Sequence, residues 1–241
     1  MVQLQFPYKL EGLTIALRLR AGIESVERPR LRKTHAICEV RKHFFHKGKT
    51  MKDSTREISP KIARERDRVH DHVLSSLAIS VKGLRPKKIL DVGTGYGANL
   101  TFLARRFGKY SRIWSVDASP AVVHEIKKIM SKHQYSRRVI IKQANAEQLP
   151  FKSDHFQLVV SSFLIHHLSN PKRGILEMGR VLSHGGKLII ADWRPAAGKP
   201  LALHAQGDIP SPSFVVKQLK RSGYSIRNHT RRYWYLIEAI K

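Results

Sequence analysis

Three glycines at alternate positions, Gly93, Gly95 and Gly97, separate the apolar run Ile89-Leu90-Asp91-Val92 from a helix-forming segment that opens at Ala98. A short apolar run closing on an acid reads as a buried strand. The glycines permit positive φ and keep side chains off the turn, so a ligand can lie against bare backbone at a helix N-terminus. Strand, glycine turn and helix in that order open a parallel α/β sheet. Asp91, near the tip of the strand, can accept hydrogen bonds from ligand hydroxyls or from an amine.

The rest of the chain continues the alternation. Residues 113–116, 139–141, 156–161 and 187–191 read as strands. Residues 99–107, 120–132, 172–182 and 213–221 read as helices. An earlier helix starts at Ser59-Pro60, a good N-cap followed by a good first helical residue. Its apolar stripe is Ile62, Val69, Val73, Leu74, Leu77 and Ile79, and Gly83 and Pro86 end it. The last two strands, 224–228 and 233–240, are joined too closely for a parallel crossover, so they form an antiparallel hairpin. The expected fold is therefore α/β: a seven-stranded, mostly parallel sheet with helices on both faces and an antiparallel C-terminal hairpin. Residues 61–241 hold this domain. Residues 1–60 show no clear period and read as a basic N-terminal extension with partial disorder. Met51 offers a second plausible start, which would make residues 1–50 a mis-called extension.

Charge bounds the partners. The formal net charge is +27, with +7 in residues 1–60 and +20 in residues 61–241, so the excess is not confined to a tail. Such a field favours nucleic acid, acidic lipid or phosphorylated ligands. Cys38 is the single cysteine, which excludes an intramolecular disulfide and fits a reducing, cytoplasmic setting. No apolar run approaches the ~18 residues of a membrane span. Residues 10–23 carry Glu11, Arg18 and Arg20, unlike a secretory signal.

The glycines alone cannot name the ligand. Gly93-x-Gly95-x-x-Ala98 also satisfies the dinucleotide fingerprint, with Asp117 about 20 residues beyond it. Three features favour S-adenosylmethionine. Asp91 supplies an acceptor that a cationic amino acid end requires. Ala144-Asn145-Ala146-Glu147-Gln148-Leu149-Pro150-Phe151 offers an amide and backbone groups where an adenine edge would lie. The terminal hairpin is foreign to most nicotinamide folds.

From residue 61 onward the chain resembles the class I S-adenosylmethionine-dependent methyltransferases, in the type 11 branch that includes ubiquinone/menaquinone biosynthesis methyltransferases. Four blocks carry the resemblance: residues 89–97, Val116-Asp117-Ala118-Ser119, Asn145 through Phe151, and residues 158–168. Residues 180–188 are similar to the family's turn into its fifth strand. The resemblance implies that Gly93, Gly95 and Gly97 cradle the methionine part of the cofactor and that Asp91 orients its amino acid end. It implies that Asp117 accepts from both ribose hydroxyls and that Ala118 packs on the adenine. Asn145 and Ala146 would meet the adenine edge, with Asn145 in place of a commoner Asp. Ser161 would lie beneath the sulfonium.

The implied chemistry is an in-line displacement on a sulfonium methyl, in which the protein supplies alignment and desolvation. His166 and His167 follow the fourth strand and are the candidate general bases. Ser161-Ser162-Phe163-Leu164 stands where exocyclic base-amine methyltransferases carry Asp/Asn-Pro-Pro-Tyr/Phe, which argues against that substrate. The cluster His35, Cys38, His43 and His46 does not match a common zinc spacing, so no metal site is expected. Residues 1–80 and 194–212 are the expected acceptor lid, with Trp193, Arg194, His204 and Asp208 in it or at its edge. The acceptor is expected to be a small molecule. The alternative is RNA or protein docked on the basic surface, and Arg231-Arg232-Tyr233-Trp234-Tyr235 is the one run that interleaves aromatic and basic residues.

Overall fold

The computed structural model describes residues 60–195 and 208–241. The expectations for Ser59, for residues 1–59, for the His35–His46 cluster and for His204 lie outside these residues. Seven strands form one sheet in the order β3-β2-β1-β4-β5-β7-β6. They are β1 (Lys88–Val92), β2 (Arg112–Asp117), β3 (Val139–Gln143), β4 (Phe156–Ser162), β5 (Leu182–Trp193), β6 (Ser225–Thr230) and β7 (Trp234–Ile240). The first five are parallel, while β7 runs antiparallel to both β5 and β6.

The helices are α1 (Pro60–Ser80), α2 (Ala98–Phe107), α3 (Pro120–Met130), α4 (Pro171–Val181) and α5 (Pro212–Arg221). Alternation along the strands divides the core. Ile89, Ile113, Leu158 and Ile189 pack with α1, α2 and α3 on one face. Leu90, Val116, Val159 and Ile190 pack with α4 and α5 on the other. Ser119, Asn170 and Ser211 cap α3, α4 and α5 with a side-chain oxygen, each followed by proline. No helix among the described residues is long and apolar enough to cross a membrane.

The structure departs from the expected elements at three places. Ile79 is 68% exposed and does not belong to the apolar stripe of α1, because two positions past the buried Leu77 it lies on the opposite side of the helix. Strand β5 begins at Leu182 and runs through Gly185-Gly186, which were expected as a turn before it. Its pairing with β4 shifts register between Phe156 and Leu158, and Gly185 takes φ 71 to absorb the irregularity. Tyr224 and Tyr233 lie outside β6 and β7. Tyr224 instead anchors α4, its hydroxyl donating to the Gly179 carbonyl at 2.9 Å.

Candidate active site

The site forms where β1, β2 and β3 end, the carboxyl edge at which open α/β sheets bind ligands. Gly93, Gly95 and Gly97 take φ of 85°, 46° and 76°, so each occupies the left-handed region that other residues avoid. The Val116 carbonyl accepts from the Gly93 and Thr94 amides at 2.8 and 3.1 Å, which ties the turn to β2. A Cβ on Gly95 would meet nothing within 4 Å, whereas one on Gly93 would press on Leu164 at 3.1 Å. Gly95 therefore faces open space, and the turn presents bare backbone there.

Asp91 is completely buried. Its Oδ2 accepts from the Ser115 hydroxyl at 2.7 Å, and Ser115 in turn accepts from Thr94, with the two hydroxyl oxygens 2.7 Å apart. Its Oδ1 has no hydrogen-bond partner. Burial pushes the carboxyl from 3.8 up to about 7; the Ser115 hydroxyl and the nearby Asn99 amide act against that rise, and the Asp117 charge adds to it. An orphaned carboxylate oxygen beside a glycine turn is what an ammonium-bearing ligand would satisfy. The sequence reading found Asp91 but missed Thr94, Asn99 and Ser115. Small polar residues facing a core are the signal that could have found them.

Asp117 receives the Gly95 amide on Oδ2 and the Ser119 amide on Oδ1, both at 3.0 Å. It thus braces the glycine turn, and each oxygen retains a lone pair for a ligand hydroxyl. The N-cap of α3 is Ser119, which leaves the Asp117 carboxylate free of that duty. The Ala144 amide donates to the Asp117 carbonyl at 2.9 Å, and Gln143 donates to the Ala118 carbonyl at 3.1 Å. These bonds hold the start of the Asn145 loop beside Asp117 and the exposed Ala118. Asn145 Oδ1 accepts from the Glu147 amide at 2.8 Å, which fixes the side chain in a local turn. Ala146 is buried at 7% exposure.

Ser161 and the histidines stand apart from this group. Ser161 lines the α4 side of the sheet, opposite the face of Asp91, and its Oγ is buried without a partner. Ser162 is the residue on the Asp91 face, its hydroxyl 3.3 Å from Asn99 Oδ1. His166 is buried, its Nδ1 2.6 Å from Asp192 Oδ1 and its amide 3.2 Å from Asp192 Oδ2. His167 is exposed, with its ring 4.0 Å from that of His166. Phe163 opens this segment at φ 55, its ring 4.5 Å from Trp193 and 4.3 Å from His70. Trp193, expected at the edge of the lid, is 1% exposed and belongs to the core, while Asp208 is exposed. Trp234 and Tyr235 are buried in β7, while Arg231, Arg232 and Tyr233 precede the strand.

Comparison with known proteins agrees with this fold. Residues 90–190 match the type 11 family, described as a methyltransferase domain. The ubiquinone/menaquinone biosynthesis C-methyltransferase UbiE of Vibrio parahaemolyticus is 26% identical over 164 residues, covering 68% of this chain and 61% of the relative's length. The protein of the same description from Laribacter hongkongensis is 28% identical over 197 residues, covering 77% of this chain and 75% of its own length. Geranyl diphosphate C-methyltransferase from Streptomyces coelicolor, solved with S-adenosyl-L-homocysteine, shares the fold at a TM-score of 0.63 and 14% identity, covering 72% of this chain and 78% of that one. The glycine turn, the acids at the ends of β1 and β2, the sheet order and these matches together make the chain similar to the class I S-adenosylmethionine-dependent methyltransferases, whose cofactor is S-adenosylmethionine.

Proposed function

We propose that the protein transfers a methyl group from S-adenosylmethionine to a carbon of a small-molecule acceptor. The observation that carries the cofactor assignment is the unpartnered Asp91 oxygen, buried at the end of β1 beside the positive-φ turn. The choice of carbon rests on the names of the relatives, which are C-methyltransferases. S-adenosylmethionine supplies an activated methyl; the chain's own residues bind, orient and exclude water.

In this reading Asp91 accepts from the amino acid end, and the Gly93–Gly97 turn lets that end approach the backbone. Asp117 accepts from the ribose hydroxyls with the lone pairs left by Gly95 and Ser119. Ala118, Asn145 and Ala146 flank the adenine, and the Asn145 oxygen, held by Glu147, leaves its amide N–H groups for the ring. Methyl transfer forms one bond to the acceptor carbon, breaks the methyl–sulfur bond and requires loss of a proton from the acceptor. In this reading His167, the exposed histidine, takes that proton. His166 is a positioning residue, clamped by Asp192 so that the segment from Phe163 to His167 keeps its path along the carboxyl edge.

Calorimetry tests the cofactor reading. Asp117→Ala removes two acceptors and should weaken S-adenosylmethionine binding by a hundredfold or more, at about 1.5–3 kcal/mol for each charged hydrogen bond. Unchanged binding would sink it. The acceptor is read out by transfer of labelled methyl into cell extract divided into RNA, protein and small-molecule fractions. Label confined to RNA or protein would overturn the small-molecule assignment.

A further inference from the structure

The opposite edge of the sheet, where β1, β2 and β3 begin, carries a concentrated positive charge that methyl transfer does not use. Residues 82–142 contain 14 Lys/Arg against three Asp/Glu. Two of those acids, Asp91 and Asp117, sit at the carboxyl edge. Apart from Lys142, near the end of β3, the cations gather toward the other end, about 15 Å away along strands of this length. Lys88 and Arg112 are register partners at the starts of β1 and β2. Arg138 immediately precedes Val139, the partner of Ile113, so it continues the row onto β3. Neighbouring strands are roughly 4.8 Å apart, which sets three cations side by side.

Further cations flank the row. Arg105 and Arg106 end α2, Lys127 and Lys128 end α3, and Lys109 and Lys132 occupy the turns that follow. Cations in a last helical turn also favour the helix dipole. That accounts for the helix ends but not for the strand starts or the turns. None of these residues forms an ion pair with another described residue. The field is felt locally: beyond the effect of burial, Arg105 holds His133 below the ordinary histidine range, and Lys88 and Lys152 do the same to His155. Rings lie among the charges. Tyr110 is 39% exposed between Lys109 and Arg112, and the His133 and Tyr135 rings meet at 5.7 Å beside Arg137.

We infer that this edge is a docking surface for single-stranded nucleic acid. A row of cations without a described ion-pair partner tracks a phosphate backbone, and the rings among them, the exposed Tyr110 and the half-buried His133 and Tyr135, stack on unpaired bases. The acid-poor stretch ends at β4, where Asp154 binds Lys241 at 2.8 Å, so the surface is confined to the β1–β3 half. The docked strand lies on the edge remote from the candidate active site. It therefore anchors the protein and is not itself the acceptor. The inference is independent of the acceptor proposed above.

The test uses the full chain and a 20-nucleotide oligouridylate, with oligothymidylate, duplex DNA and phosphatidylserine vesicles as parallel arms. One variant combines Arg112→Ser, Lys132→Ser and Arg138→Ser; a control of equal charge combines Lys217→Ser, Lys220→Ser and Arg221→Ser on α5. Each phosphate contact on a single strand contributes about 0.7 to the log–log salt slope. The edge variant should therefore lose about 2 from that slope and about a hundredfold in affinity at 0.1 M salt, while the control changes little. Tyr110→Ala should weaken single strands more than duplex. Thermal unfolding verifies that both variants fold. Absence of oligonucleotide binding by the wild type, equal losses in both variants, or binding of vesicles in preference to single strands would overturn the inference.

Discussion

Asp91→Asn should make the protein more stable above neutral pH while stripping it of cofactor affinity. Asp91 is completely buried, and its carboxyl titrates near 7 in the folded protein against 3.8 as an ordinary aspartate. A native pKa raised in this way means that the folded state keeps its proton longer than the unfolded chain. The stability associated with the group is then fully present below pH 4, falls as pH rises from about 4 to 7, and levels off above that. A shift of about 3 units corresponds to roughly 4 kcal/mol in total, of which about 2–3 kcal/mol is lost between pH 5 and 8. Asparagine keeps the shape and does not titrate. Urea unfolding of both proteins without cofactor, at pH 5 and pH 8, isolates the effect as a difference of differences, because the other titrating groups are common to both. The variant should gain on the wild type by about 2–3 kcal/mol over that interval. At pH 8, saturating S-adenosylmethionine should raise the stability of the wild type and leave the variant nearly unchanged. Parallel pH profiles for the two proteins would refute the reasoning, since they would mean that Asp91 carries no burial penalty for a ligand to relieve.

Gly95→Ala puts a Cβ at φ 46 into open space, so it should cost only about 1–2 kcal/mol in unfolding by urea. Calorimetric binding of S-adenosylmethionine should fall much further, because the methyl occupies the place where the ligand meets backbone. His166→Ala takes the imidazole from the buried Asp192 carboxylate, leaves it with the backbone amides of residues 166 and 193, and should lower stability by about 3 kcal/mol in a urea titration. Adding Asp192→Leu to that variant should restore part of the loss.

The strands and the glycine turn were legible because their signals are local. A β-branched run, an acid, alternate glycines and a proline after a capping residue each act within a few positions. The register of β4 against β5 was not legible, since the Gly185-Gly186 irregularity is decided by pairing across the sheet. The same limit hid Thr94, Asn99 and Ser115, which no motif marks and which matter only because folding brings them to Asp91. His166 shows a related limit. Its position after the fourth strand suggested a reacting group, but whether an imidazole meets a substrate or a buried aspartate depends on the end of β5, 26 residues away. Nor could the cationic edge be read in advance: its members come from five separate segments, and each segment looks like an ordinary solvated stretch.

The position of β7 has a consequence for how the chain is made. Strand β7 follows β6 in sequence, yet it lies inside it, between β5 and β6. On a ribosome, β5 must wait with an open apolar flank until residues 234–240 have emerged, and no shorter nascent chain can close the sheet. The hairpin can form first as a local unit and then dock as one piece against β5. The last native pairing is therefore an all-or-none event that depends on a segment translated after every residue of the cofactor site. A nascent chain can thus expose a complete glycine turn and both acids while the sheet that holds them is still missing two of its strands.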